Sequence, residues 1–171
     1  LSPMPPDESP RLNAELLFKY GEIVDQIDEL VRYSDIGRDL RFIEPLIRSF
    51  GYGHAHEAYW PVVHILEKYP LDNLRPALRM AIQTGERGSR MWVALMIGRQ
   101  RNFEDVPLLI DALEDPEHRV RYNALIALSM IGDLSALSAM KSLLCDPIEE
   151  VRKMASESIE SLLDQRYVVD E

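Results

Sequence analysis

Four side chains close together could hold a metal ion: His54, His56, Glu57 and His64. Imidazole and carboxylate are the usual nitrogen and oxygen ligands of zinc. Their spacing, H-x-H-E and then a distant His, lacks the two histidines four apart with a Glu between them that put ligands and base on one helical face. No metal is therefore assigned, and the cluster reads as solvated or partner-facing. Cys145 is the only cysteine. It can form neither an internal disulfide nor a Cys-based zinc site, and nothing in the sequence sets a base beside it to make a nucleophile. The sequence has no G-x-S-x-G, P-loop or G-x-G-x-x-G motif. The acid pair Glu149 and Glu150 falls in the first turn of an expected helix, where the helix dipole favours negative charge. No catalytic residue and no cofactor is implied, so the chain reads as a binding protein and not as an enzyme.

What must position these residues is a chain of 171 residues, 46% hydrophobic and 28% charged. That is enough for one domain with a real core, and it excludes wholesale disorder. No apolar run approaches a membrane span and the cysteine count is one, so a soluble, cytoplasmic protein is expected. The formal charge is −10, from 19 bases and 29 acids. This argues against sequence-independent adherence to nucleic acid, which depends on Lys and Arg displacing counterions. Residues 1–37 carry 8 acids and 3 bases, residues 38–102 carry 6 and 10, and residues 103–171 carry 15 and 6. An electropositive middle thus lies between acidic ends.

A repeat of 31 residues organises the chain. Phe103–Asp133 lies over Leu134–Asp164, setting Asp115-Pro116 on Asp146-Pro147 and Val120-Arg121 on Val151-Arg152. The same step relates Pro107 to Pro76 and Pro45, and carries Arg152 through Arg121 to Arg90. Apolar residues recur at three and four within each unit, and a turn signal divides it, so each unit is a helix pair. Pairs are expected at about 38–50 and 56–69, 72–83 and 87–101, 103–114 and 117–131, and 134–144 and 148–164. Asp-Pro supplies an N-cap and first-turn proline for the second helix of units three and four. Gly132-Asp133 closes the second helix of unit three, with Gly98 near the corresponding end in unit two. Pro61 should kink its helix or mark a late start. Residues 11–36, with Leu16, Leu17, Ile23, Ile27, Leu30 and Val31, suit a capping helix, and the proline-rich residues 1–10 should be disordered. The whole of 11–171 is read as a single domain with repeats at about 37–70, 71–102, 103–133 and 134–164.

The pattern D-P-x-x-x-V-R, the alanine-rich second helix and the I-G-D ending of unit three resemble HEAT repeats of the short bacterial kind found in phycobilin lyase proteins. The resemblance implies an all-α, right-handed α-solenoid of about four HEAT-like helix pairs with an N-terminal capping helix, in which each repeat touches mainly its neighbours. It also implies that Arg90, Arg121 and Arg152 form a structural ladder, with Asp115 and Asp146 as suitable partners, and that second helices line a concave wall. Residues expected to contact a partner are Tyr59, Trp60, His64, Trp92, Tyr122, Asn123, Lys153 and Glu157, joined by the acids Glu149 and Glu150. Exposed aromatics of this sort are enriched where partners bind. The leading expectation is a basic protein partner, and the chain is similar in size, acidity and repeat type to bacterial immunity proteins that inhibit nuclease toxins. A second reading is nucleic-acid binding of the HEAT-like alkylpurine glycosylase kind, with Arg75, Arg79, Arg87, Arg90, Arg99 and Arg101 meeting phosphates. A third is a bilin lyase or its partner. No membrane partner is implied.

Overall fold

Three of the first helices begin in the same way. Asp39, Asn102 and Asp133 each sit in extended backbone and accept, through a side-chain oxygen, the N–H two residues on: Arg41 at 3.1 Å, Glu104 at 3.2 Å and Ser135 at 2.8 Å. Each satisfies a donor that a helix start leaves orphaned. The chain then winds into a 3-10 turn, Leu40–Phe42, Phe103–Asp105 or Leu134–Ala136, which runs directly into α-helix. In this computed structural model the α-helices are α1 (Ile43–Arg48), α2 (Trp60–Leu66), α3 (Leu71–Thr84), α4 (Arg87–Arg99), α5 (Val106–Ala112), α6 (His118–Ile131), α7 (Leu137–Ser142) and α8 (Glu149–Tyr167). The structure describes Glu22, Asp25, Gln26 and Glu29 and residues 39–52 and 59–167. Among these every regular element is helical, and the fold is an all-α solenoid of helix pairs. The expected tail at 1–10 lies outside the described residues, as does the expected cap at 11–36 apart from those four, which are helical and exposed.

Contacts gather the chain into two compact units, Leu1–Ser89 and Arg90–Glu171. In the first, Ile43, Leu46 and Ile47 of α1 bury against Val62, Val63, Ile65 and Leu66 of α2 and Leu74 and Leu78 of α3. Pro61 sits in the first turn of α2, where its missing N–H costs nothing, and the helix starts only at Trp60. Residues 56–58 of the helix expected from 56 lie outside the described residues. Gly88 is forced to be glycine, because a Cβ there would strike the carbonyl of Gly51. Ser89 Oγ donates to the carbonyl of Ile47 at 3.0 Å and ties the start of α4 to α1.

In the second unit, Val120, Ala124 and Ile131 of α6 and Val151, Ala155 and Leu162 of α8 are buried at the interval of 31. The aspartates of the repeat do not cap α6 and α8 in the manner the sequence suggested. Asp115 and Asp146 stand three residues ahead of those helices, and their Oδ1 atoms accept the N–H of Glu117 and of Ile148, both at 2.8 Å. Each also receives an arginine from the preceding repeat. Arg90 donates from Nε and Nη2 to the Asp115 carboxylate at 2.8 and 3.0 Å, and Arg121 does the same to Asp146 at 2.7 and 2.9 Å. Arg121 turns its Nη1 the other way, to the carbonyls of Asp115 and Pro116 at 2.9 and 3.3 Å. One guanidinium therefore holds the turn of its own repeat and the turn of the next. This fork geometry is available to arginine and not to lysine.

The helix ends obey the same interval. Gly132 closes α6 with φ 82°, and the residue 31 positions earlier, Arg101, adopts φ 49° after α4. Gly98 is thus not the terminating glycine of its repeat. It marks where α4 and α6 touch, since a Cβ on Gly98 would collide with the backbone of Ala127.

A left-handed backbone at a residue with a Cβ costs about 1 kcal/mol, so Arg101→Gly should stabilise the protein by about 0.5 kcal/mol after the added flexibility of the unfolded chain. Urea unfolding reads this as a higher midpoint at unchanged slope. For Asp146, burial would raise the carboxyl, but the Arg121 hydrogen bonds, the Ile148 N–H and the charges of Arg121 and Arg152 outweigh it and hold the pKa below its ordinary value. The contribution is whole above about pH 4 and is lost as the pH falls through the lowered folded-state value. Arg121→Met should cost about 3 kcal/mol at pH 7 by leaving that buried carboxylate without its main partner, and should shrink the acid-induced loss.

Candidate interaction face

The second helices of unit two present one stripe outward. Along α6 the half-buried residues include Arg119, Tyr122, Ile126 and Met130, at spacings of three and four, while the opposite stripe is fully buried. On α8 the corresponding positions are Glu150, Lys153, Glu157 and Ser161, all exposed, with Met154 half-buried beside them. α6 packs on α8, so the apolar stripe of one runs beside the charged stripe of the other. Burial raises the Tyr122 phenol pKa, and the nearby carboxylates Glu157 and Glu150 raise it further. Lys153 pairs with Glu149 at 2.8 Å, an exposed contact one helical turn apart. It lifts the ammonium pKa and lowers that of the Glu149 carboxyl, but a pair so open to water adds little stability.

Three residues assigned to the partner face by sequence lie in the core instead. Tyr59 is 1% exposed and meets Phe50 edge to face at 5.7 Å. Trp92 is 4% exposed, and Asn123 is 7% exposed with its Nδ2 donating to the carbonyl of Met91 at 2.7 Å. Trp92 and Asn123 occupy one register position, and the helix phase turns that position inward. The sequence reading was one residue out, because a helix position adjacent to the true stripe lies about 100° around the axis. Trp60 and His64 remain at the surface of unit one, half-buried and exposed, with their rings 6.3 Å apart. Tyr122, Lys153, Glu157, Glu149 and Glu150 are at the surface of unit two.

His54, His56 and Glu57 lie outside the described residues, among which no group of three or more His, Cys, Asp or Glu could hold a metal ion. The arginines of the nucleic-acid reading do not form a free row. Arg90 is engaged with Asp115, and Arg87 lies 4.4 Å above the Tyr52 ring. Sequence reasoning missed a groove of about 960 Å³ in unit one, lined among others by Ile47, Phe50, Pro76, Met80 and Ala81. Its signal was the glycine cluster Gly51, Gly85 and Gly88, which helps to line it.

The family described as HEAT repeats matches residues 74–162. The chain belongs to the HEAT-repeat family. No curated protein matches it in sequence. Eighteen chains of solved structures match, among them human deoxyhypusine hydroxylase in complex with glycerol, at TM-score 0.57 and 19% identity, over 74% of this chain and 44% of that one. The chain thus spans less than half the length of that enzyme, and the likeness is one of fold. HEAT repeats serve in general as protein-interaction scaffolds, and among the described residues no helix is long and apolar enough to cross a membrane.

Burial separates the two tryptophans. Trp92→Ala should cost about 3–5 kcal/mol, enough to unfold a domain of ordinary stability, whereas Trp60→Ala should cost about 1 kcal/mol. Thermal unfolding followed by circular dichroism distinguishes them, and equal losses would place Trp60 in the core.

Proposed function

We propose that this HEAT-repeat protein captures a basic protein partner on the face formed by α6 and α8, without turnover of a substrate. The observation that carries this reading is the half-buried stripe Tyr122, Ile126 and Met154 bordered by Glu149, Glu150 and Glu157. It lies in a segment, residues 103–171, that carries 15 acids against 6 bases. Aromatic side chains supply contact area at small entropic cost, methionine adapts to the shape of what it meets, and surrounding carboxylates steer a cationic surface into place and speed encounter. Trp60 and His64 offer a second aromatic contact in unit one. Inhibition of a bacterial toxin is a specific form of this function, since an inhibitor of a nuclease does well to offer carboxylates to a phosphate-binding surface. The lone Cys145 suits a cytoplasmic setting.

An amphipathic Lys/Leu helical peptide serves as the probe. It should associate with a rate constant that falls steeply with salt, and Glu150→Lys with Glu157→Lys should slow association by roughly tenfold at low salt and far less at high salt. Tyr122→Ala should speed dissociation instead. Equal rates for all three proteins would overturn the reading. So would tighter binding of a short DNA duplex than of the peptide, with a salt slope of several units.

A further inference from the structure

Tyr122 is the aromatic member of the outward stripe on unit two, and two acids of α8 flank it. The interval of 31 sets Tyr122 level with Lys153, so Glu150 comes three residues before that level and Glu157 four after it. Burial raises the phenol pKa, and Glu157 and then Glu150 raise it further, which puts both carboxylates near its oxygen. Seven helical residues separate the two acids by about 10.5 Å along the axis. Lys153 is paired with Glu149 at 2.8 Å, and among the described residues no base reaches Glu150 or Glu157 in an ion pair. Stacking leaves this stripe open. α8 already packs on α6, and Leu125 and Ser129 are buried while Tyr122 and Ile126 remain half-buried. By the same step a helix stacked on α8 would cover Ser156 and Glu160 and leave Glu157 on the open side.

We propose that Tyr122, Glu157 and Glu150 select arginine over lysine as the anchor of the basic partner, the guanidinium lying on the phenol ring and donating from opposite edges to the two carboxylates. This rests on the reading of the face as one that captures a basic protein, and names the residue it takes. An ammonium is a strongly hydrated point charge that meets one of two separated carboxylates at a time. A guanidinium is planar, weakly hydrated and stacks on aromatic faces, and its donors point outward in one plane. Both halves of the contact occur inside the molecule. Arg87 lies 4.4 Å above the Tyr52 ring, and Arg90 and Arg121 fork onto Asp115 and Asp146. Glu157, which acts on the phenol more strongly than Glu150 does, is the main acceptor. Ile126 and Met154, half-buried beside the ring, cover the methylene stem that a long basic side chain lays along apolar surface.

The probes are two amphipathic helical peptides of equal length and charge, one Lys/Leu and one Arg/Leu, titrated against the full chain at low salt. The Arg/Leu peptide should bind roughly fivefold more tightly. Tyr122→Phe should keep that ratio, whereas Tyr122→Leu, which retains apolar area without a ring, should bring it close to one. Glu157→Gln, at an exposed position, should reduce it to roughly twofold and keeps the test intact should circular dichroism show that Tyr122→Leu loses its helices. The ratio is taken within each protein, so a general change in stability does not move it. Equal binding of the two peptides to the unmodified chain would overturn the arginine preference and leave capture of a basic partner standing. A ratio that survives both Tyr122→Leu and Glu157→Gln would do the same, by placing the preference elsewhere. Failure of both peptides to bind would overturn the capture reading and this inference together.

Discussion

A guanidinium that grips two turns at once is the constraint on which unit two depends. Arg121 spans the carbonyls of its own Asp-Pro turn and the carboxylate of the next one. The distance between consecutive turns is thereby set by the reach of one side chain. Apolar packing alone would leave α6 and α8 free to slide by a fraction of a turn, because leucine and alanine surfaces are non-directional. The bidentate pair is directional, and its aspartate is in turn oriented by the backbone N–H that it accepts. Desolvating these groups costs free energy that the pair recovers only with good geometry. What the ladder supplies is therefore register more than stability.

Register decides which residues reach solvent, and here the sequence was legible to different depths. The interval of 31, the helix pairs and the arginine ladder could be read because they rest on repeated residue types, and a repeated position averages out local ambiguity. The face of each helix was harder to read. Trp92 and Asn123 sit one residue from the exposed stripe, and an alanine-rich helix such as α6, apolar on most of its circumference, offers little contrast to set the phase. Arg101 shows a further limit. Nothing in an arginine announces a left-handed backbone, and only its register with Gly132 reveals it. Gly98 was conspicuous in the sequence for a reason other than termination, the close approach of α4 to α6.

The candidate site was legible in composition and not in motif. A charge balance that shifts from 6 acids and 10 bases in residues 38–102 to 15 acids and 6 bases in residues 103–171 says where a cation would be drawn. It does not say which side chains it would meet. The arginines of the middle segment illustrate the difference: counted as charge they suggest a phosphate-binding row, yet Arg90 is neutralised by Asp115 and Arg87 is laid over Tyr52. Net charge acts at long range and on rates, while specificity needs contacts that only packing defines.

Fold likeness to an enzyme does not alter this. A helical repeat array is a scaffold on which unrelated functions are placed, so function has to be argued from the side chains it presents. In unit two those are the carboxylates beside Tyr122 and the half-buried Tyr122, Ile126 and Met154 themselves. The two differ in kind. Carboxylates ringed by water attract cations of many shapes, because a screened field carries little geometric information. A half-buried phenol and thioether gain contact only from a surface shaped to fit them. If both surfaces are used, the first would govern how fast a partner arrives and the second which partner stays.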